Sequence, residues 1–136
     1  MNRYSKLILL ADDDPEDREV MEFALFEHDP TVRVVSVEDG RQAVNHLTGL
    51  WDQTVPDLII LDYRMPFLTA PEILKKINEN SRYILTPKIV WSTYSDETHR
   101  IECLYSGAIA YFVKPTTVKG LQEIVATMFK ILSSVS

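Results

Sequence analysis

The sequence predicts an α/β protein: a (βα)5 doubly wound, five-stranded parallel sheet in a three-layer α/β/α sandwich. Three observations lead there. Five short apolar runs alternate with longer amphipathic stretches, as strands buried on both faces alternate with crossover helices. At 136 residues and 46% hydrophobic, the chain can bury one ordinary core, so residues 1–136 are expected to form a single domain. Acids, hydroxyls and a lysine directly follow several of the apolar runs, where the carboxyl ends of parallel strands line a ligand crevice.

The first strand is expected over Leu7–Ala11, with Asp12, Asp13 and Asp14 directly behind it. Asp14 is suited to cap a helix over Pro15–Glu27, with Pro15 at its first position. A second strand, Val32–Val37, and a helix over Arg41–Leu50 follow. The apolar run Leu58–Leu61 reads as the third strand, and it stops by presenting Asp62 ahead of Met65-Pro66. Thr69 and Glu72 have the spacing of a capping box before a helix over Pro71–Asn80. Lys88–Ser92 is the fourth strand, with Trp91 expected in the core; the helix Asp96–Ser106 should end at Gly107 as its C′ residue. Ala110–Val113 is the fifth strand, leading into Lys114-Pro115. Leu121, Ile124, Val125, Met128 and Leu132 then recur at helical spacing, an apolar stripe for a last helix over Val118–Leu132. Right-handed crossovers bring the loops after the first, third, fourth and fifth strands to one edge, so Asp12, Asp13 and Asp62 converge on one site.

Composition excludes several classes. The net charge is −6, with Lys and Arg scattered, which argues against direct nucleic-acid binding. The lone Cys103 has no partner for an internal disulfide. The amino terminus has no apolar signal core, and no run approaches the ~20 residues of a membrane span, so a cytoplasmic location is expected. His28, His46 and His99 share no ligand spacing and read as ordinary surface or helix residues.

An acidic pair, a D-x-x-M-P aspartate (Asp62 to Pro66), a hydroxyl at Ser92 and a Lys114-Pro115 pair, in this order, resemble the receiver domain of two-component response regulators, the CheY-like family with a flavodoxin-like fold. The resemblance covers nearly the whole chain. It implies that Asp62 is the phosphoacceptor. Asp12 and Asp13 would hold Mg²⁺ with Asp62, the backbone carbonyl of Arg64 supplying a further ligand. Ser92 and Lys114 would contact the phosphoryl group, with Thr93 as the competing hydroxyl. Tyr111 matches a switch aromatic whose rotamer follows Ser92. Lys114-Pro115 resembles the family's cis peptide, which for an X-Pro bond costs about 0.5–1 kcal/mol. Arg64 and Tyr94 fall at variable positions that tune phosphoryl lifetime. The implied partners are a sensor histidine kinase or phosphotransfer protein, and a downstream protein met through protein contacts.

The chemistry of these residue types agrees. Crowded carboxylates repel unless a cation compensates, and hard oxygen ligands suit Mg²⁺. A carboxylate can attack a phosphoryl group to give an aspartyl phosphate, while a lysine and a hydroxyl balance its oxygens. Each residue also has a plainer reading. Asp12, Asp13 and Asp14 can serve as helix-capping and turn acids, Lys114 as a solvated loop lysine, Ser92 as a local hydrogen-bond partner, Tyr111 as an edge-strand aromatic and Arg64 as a solvated loop arginine.

One departure stands out: where the family usually has Asp-Gly before its third helix, this chain reads Phe67-Leu-Thr-Ala-Pro71. The leading expectation is a phosphorylation-controlled switch, stand-alone or excised from a longer protein, that catalyses only its own phosphorylation and dephosphorylation. Ile101, Leu104 and Tyr105 with Tyr111 are a candidate partner or homodimer surface. Two alternatives are a haloacid-dehalogenase-type phosphotransferase, which normally needs an acid where Arg64 stands, and a degenerate receiver used as a binding scaffold.

Overall fold

A computed structural model describes residues 6–49 and 55–135. Five parallel strands, β1 (Leu7–Ala11), β2 (Arg33–Val37), β3 (Leu58–Asp62), β4 (Lys88–Ser92) and β5 (Ala110–Val113), form one sheet in the order β2-β1-β3-β4-β5. The helices α1 (Pro15–His28), α2 (Gly40–Thr48), α3 (Ala70–Asn78), α4 (Glu97–Tyr105) and α5 (Val118–Val135) connect and follow them. The predicted doubly wound fold is therefore the one observed.

Side-chain alternation along the strands divides the core into two layers. Leu9, Ala11, Ile59, Leu61 and Val90 pack with Ala43, Leu47, Ile73 and Ile77 of α2 and α3 and with Cys103 of α4. Ile8, Leu10, Leu58, Ile60, Ile89 and Trp91 pack with Met21 and Leu25 of α1 and with Leu121, Val125 and Met128 of α5. Each fully buried leucine or isoleucine contributes roughly 1.5–3 kcal/mol. The strand ends that carry the acids are thus anchored in the best-packed part of the molecule.

Some expectations need adjustment. β2 and β5 are edge strands and are only partly buried, whereas β1, β3 and β4 are buried throughout. α2 begins at Gly40, capped by the Asp39 side chain, which accepts from Gln42 N at 2.8 Å. Glycine is required there, because a Cβ would lie 2.6 Å from Leu68 Cβ. The expected end of that helix at Leu50 lies outside the described residues. α3 stops at Asn78, and the chain turns into a 3-10 segment, Ser81–Tyr83, whose first turn Asn80 caps through Arg82 N. The glycine-free loop before α3 holds Phe67 at φ 78°, in the left-handed region that glycine adopts without strain. Thr69 and Glu72 meet as expected, Glu72 Oε1 accepting from Thr69 N at 2.9 Å.

Lys88 is an unexpected interior residue, 3% exposed, its ammonium donating to the Tyr83 carbonyl. Burial pushes its pKa down. Gly107, at φ 116°, terminates α4 as the sequence predicts. Among the described residues, no helix is long and apolar enough to cross a membrane.

Candidate functional site

Parallel pairing puts four strand ends on one edge of the sheet. β1 runs out into Asp12 and Asp13, β3 ends on Asp62, β4 ends on Ser92, and β5 is followed by Lys114. Register fixes their relative height: Ala11 pairs with Leu61, Asp62 with Trp91, and Ser92 with Val113. Lys114 N continues the ladder by donating to the Ser92 carbonyl at 2.7 Å. The acids, hydroxyls and the lysine singled out in the sequence come together, and Tyr111 on the edge strand joins them through the Tyr94 carbonyl.

Asp12, Asp13 and Asp62 each offer a carboxylate oxygen within 4.8 Å of the others; Asp12 and Asp62 are buried and Asp13 is exposed. Lys114 Nζ reaches Asp17 at 2.7 Å, Asp12 at 2.9 Å and Asp62 at 3.4 Å. It also sits 4.7 Å above the Trp91 ring, so the indole forms a floor beneath the ammonium. Asp12 accepts from Asp14 N at 2.9 Å, and its backbone carbonyl accepts from Arg18 at 2.7 Å, which pins the acidic loop to α1. A cleft of about 230 Å³ opens over this group, with Arg64, Ser92, Thr93 and Tyr94 on its rim. Ser92 Oγ accepts from Tyr94 N at 3.1 Å, and Tyr111 donates its hydroxyl to the Tyr94 carbonyl at 2.9 Å.

One expectation is corrected. The described residues contain no cis peptide bond, so Lys114-Pro115 is trans. With this trans bond the lysine reaches three carboxylates, and trans is the intrinsically favoured isomer of an X-Pro bond.

The electrostatics follow from burial and crowding. Burial, reinforced by the charge of Asp12, pushes Asp62 up to about 7. Burial likewise raises Asp12, against the pull of Asp14 N and Lys114. For Lys114, burial alone would favour the neutral amine, but hydrogen bonds to Asp17 and Asp12 outweigh it and hold the pKa above its ordinary value. Three carboxylates thus face one ammonium and Asp13 stands beside them, leaving negative charge uncompensated. Three hard oxygen donors so arranged fit a small divalent cation, and no soft ligand is among them.

The sequence reading missed several neighbours. Asp17 looks like an ordinary first-turn helix acid, yet it makes the shortest contact to Lys114. Tyr63, one residue past Asp62, is buried, donates to Glu102 of α4 at 2.7 Å, and stacks on His99 with ring centroids 4.0 Å apart. These pairs lie far apart in sequence, where no local periodicity could announce them. On α4, Ile101 and Tyr105 are exposed, whereas Leu104 packs against the core.

Fold and site together define a receiver-type domain: a doubly wound sheet presenting an acid trio, two of its members buried, and a lysine at its carboxyl edge. A family model described as the response regulator receiver domain matches residues 8–126. Two-component response regulator ARR15 of Arabidopsis thaliana is 34% identical over 129 residues, which cover 87% of this chain and 61% of that protein. The chain therefore spans about three fifths of that relative's length. Among solved structures, the phosphorylated cyanobacterial phytochrome response regulator RcpA superposes with a TM-score of 0.85 at 26% identity, covering 96% of each chain. The receiver domain of sensor histidine kinase PA1611 from Pseudomonas aeruginosa PAO1, solved with a magnesium ion in its active-site cleft, superposes at 0.74 with 28% identity, covering 90% of this chain and 96% of that one. The chain belongs to the response regulator receiver domain family.

Proposed function

We propose that this domain is a phosphorylation-controlled switch whose phosphoacceptor is Asp62, supplied by a histidine kinase or phosphotransfer protein and read out through protein contacts. The observation that carries the proposal is the placement of Asp62: it ends a buried strand, lies 3.4 Å from Lys114 Nζ, and shares a 4.8 Å cluster with Asp12 and Asp13. Relatives that carry phosphate or magnesium in this fold support the same reading.

Asp12, Asp13 and Asp62 are the residues that would hold Mg²⁺, with the Arg64 carbonyl as a further ligand. Bound there, the ion supplies charge neutralisation for phosphoryl oxygens. The chain's own part begins with a carboxylate oxygen of Asp62 attacking phosphorus. A new O–P bond forms, and the bond from phosphorus to the donor's leaving group breaks, its electron pair departing with that group. Lys114 balances one phosphoryl oxygen, and the Ser92 hydroxyl, now accepting from Tyr94 N, turns to donate to another. Tyr111 then follows Ser92, since its own hydroxyl is anchored on the backbone of Tyr94. Reaction is limited to the domain's own phosphorylation and dephosphorylation.

Intact-mass spectrometry after incubation with a small acyl phosphate and Mg²⁺ tests this. One phosphoryl group should be added, labile to hydroxylamine and absent in Asp62→Asn. Label that persists in that variant removes Asp62 from the role.

A further inference from the structure

We propose that Asp17 is a positioning residue that competes with the incoming phosphoryl group for Lys114. The inference rests on Asp62 as the phosphoacceptor and concerns how the site is held at rest.

An ammonium has three N–H donors and no more. At Lys114 two of them are given, to Asp17 at 2.7 Å and Asp12 at 2.9 Å, and the ammonium lies 3.4 Å from Asp62 as an ion pair without a hydrogen bond. A phosphoryl oxygen on Asp62 draws the ammonium toward itself, against the two carboxylates that hold it. Asp12 is a poor candidate to let go: it is fully buried, so no water can take the lysine's place. Asp17 differs. Its side chain is 35% exposed, so water can take over when the contact breaks. It stands in the first turn of α1, where backbone N–H groups favour a carboxylate even without the lysine. It is also no member of the Asp12, Asp13 and Asp62 trio.

Asp17 is therefore the partner that yields. At rest it holds Lys114 and opposes an approaching phosphoryl group in two ways, by drawing the ammonium toward itself and by adding negative charge at the rim. When the phosphoryl group is lost, Asp17 takes the lysine back.

The test measures the initial rate of labelling against acyl phosphate concentration at saturating Mg²⁺. Asp17→Asn should lower the half-saturating donor concentration roughly two- to five-fold, the size of one part-exposed charged contact, with little change in maximal rate. Asp17→Glu should return it toward the parent value. Glu16→Gln removes an exposed charge from the same turn and should leave it unchanged. An unchanged or raised half-saturating concentration in Asp17→Asn overturns the proposal, as does an equal shift in Glu16→Gln, which would make the effect one of general charge. A parent that takes no label brings down the phosphoacceptor reading and this inference together. A parent that labels normally, with no response at Asp17, brings down the competition alone.

Discussion

Tyr63 donates its hydroxyl to the Glu102 carboxylate at 2.7 Å, tying the residue after Asp62 to the middle of α4. The same ring stacks on His99 at 4.0 Å, so one side chain braces two positions on that helix. Burial first, and then the hydrogen bond to Glu102, raise the Tyr63 pKa.

Removing that hydroxyl is expected to loosen α4 without disturbing the acids. Tyr63→Phe keeps the ring and loses one hydrogen bond to a charged partner, a cost of about 1–2 kcal/mol where the acceptor is part exposed. Hydrogen exchange over residues 97–105 should quicken while Mg²⁺ affinity stays at the parent value. Unaltered exchange there would mean that packing alone seats the helix.

Mg²⁺ should stabilise the folded protein, because three neighbouring acids bind it folded and are dispersed in the unfolded chain. Asp13→Asn is the variant of choice, since Asp13 is exposed and its loss leaves the core intact. Thermal denaturation with and without Mg²⁺ should give a metal-dependent rise for the parent and none for the variant. A full response in Asp13→Asn would locate the ligands elsewhere.

Without metal, stability should fall as pH rises through the range set by Asp62. Its pKa is about 7 in the folded protein against an ordinary 3.8. Between those values the folded state keeps a proton that the unfolded chain has lost, so the penalty grows with pH and is complete above about 7. Asp62→Asn should flatten this decline, its lead in Tm over the parent growing from about pH 4 to pH 7 in the presence of chelator. Asp12, raised in the same direction by burial, keeps some slope in both proteins. Parallel curves would show that Asp62 titrates normally.

Phosphoryl lifetime should be long. Hydrolysis needs a water aligned opposite the leaving carboxylate. Arg64 and Tyr94 stand exposed at the rim of the cleft and offer that water no carboxylate or amide. Decay of the phosphorylated protein, followed by mass, should quicken in Arg64→Asn combined with Tyr94→Glu. Equally slow decay in the double variant would assign lifetime to other groups.

Strand ends were the legible part of this chain. An apolar run followed at once by an acid fixes both a buried strand and the place where it surfaces, which is why Asp12, Asp13 and Asp62 could be grouped before any coordinates. α5 was equally plain, because its stripe at Leu121, Val125, Met128 and Leu132 has one buried face. α1 was harder: Val20, Phe23 and Phe26 are exposed while Met21, Ala24 and Leu25 are buried, so apolar residues ring the helix. Contacts such as Asp17 with Lys114, 97 positions apart, depend on how helices lie across the sheet and leave no mark on local spacing.

Trp91 beneath Lys114 gives the molecule a native optical probe. An ammonium 4.7 Å from an indole face perturbs the excited state of the ring, and any shift of that ammonium toward a new anion alters the perturbation. The chain has two tryptophans, and the other, Trp51, lies outside the described residues. In a Trp51→Phe background, emission from Trp91 reports the whereabouts of a single positive charge, so occupancy of the pocket can be followed in real time without a label.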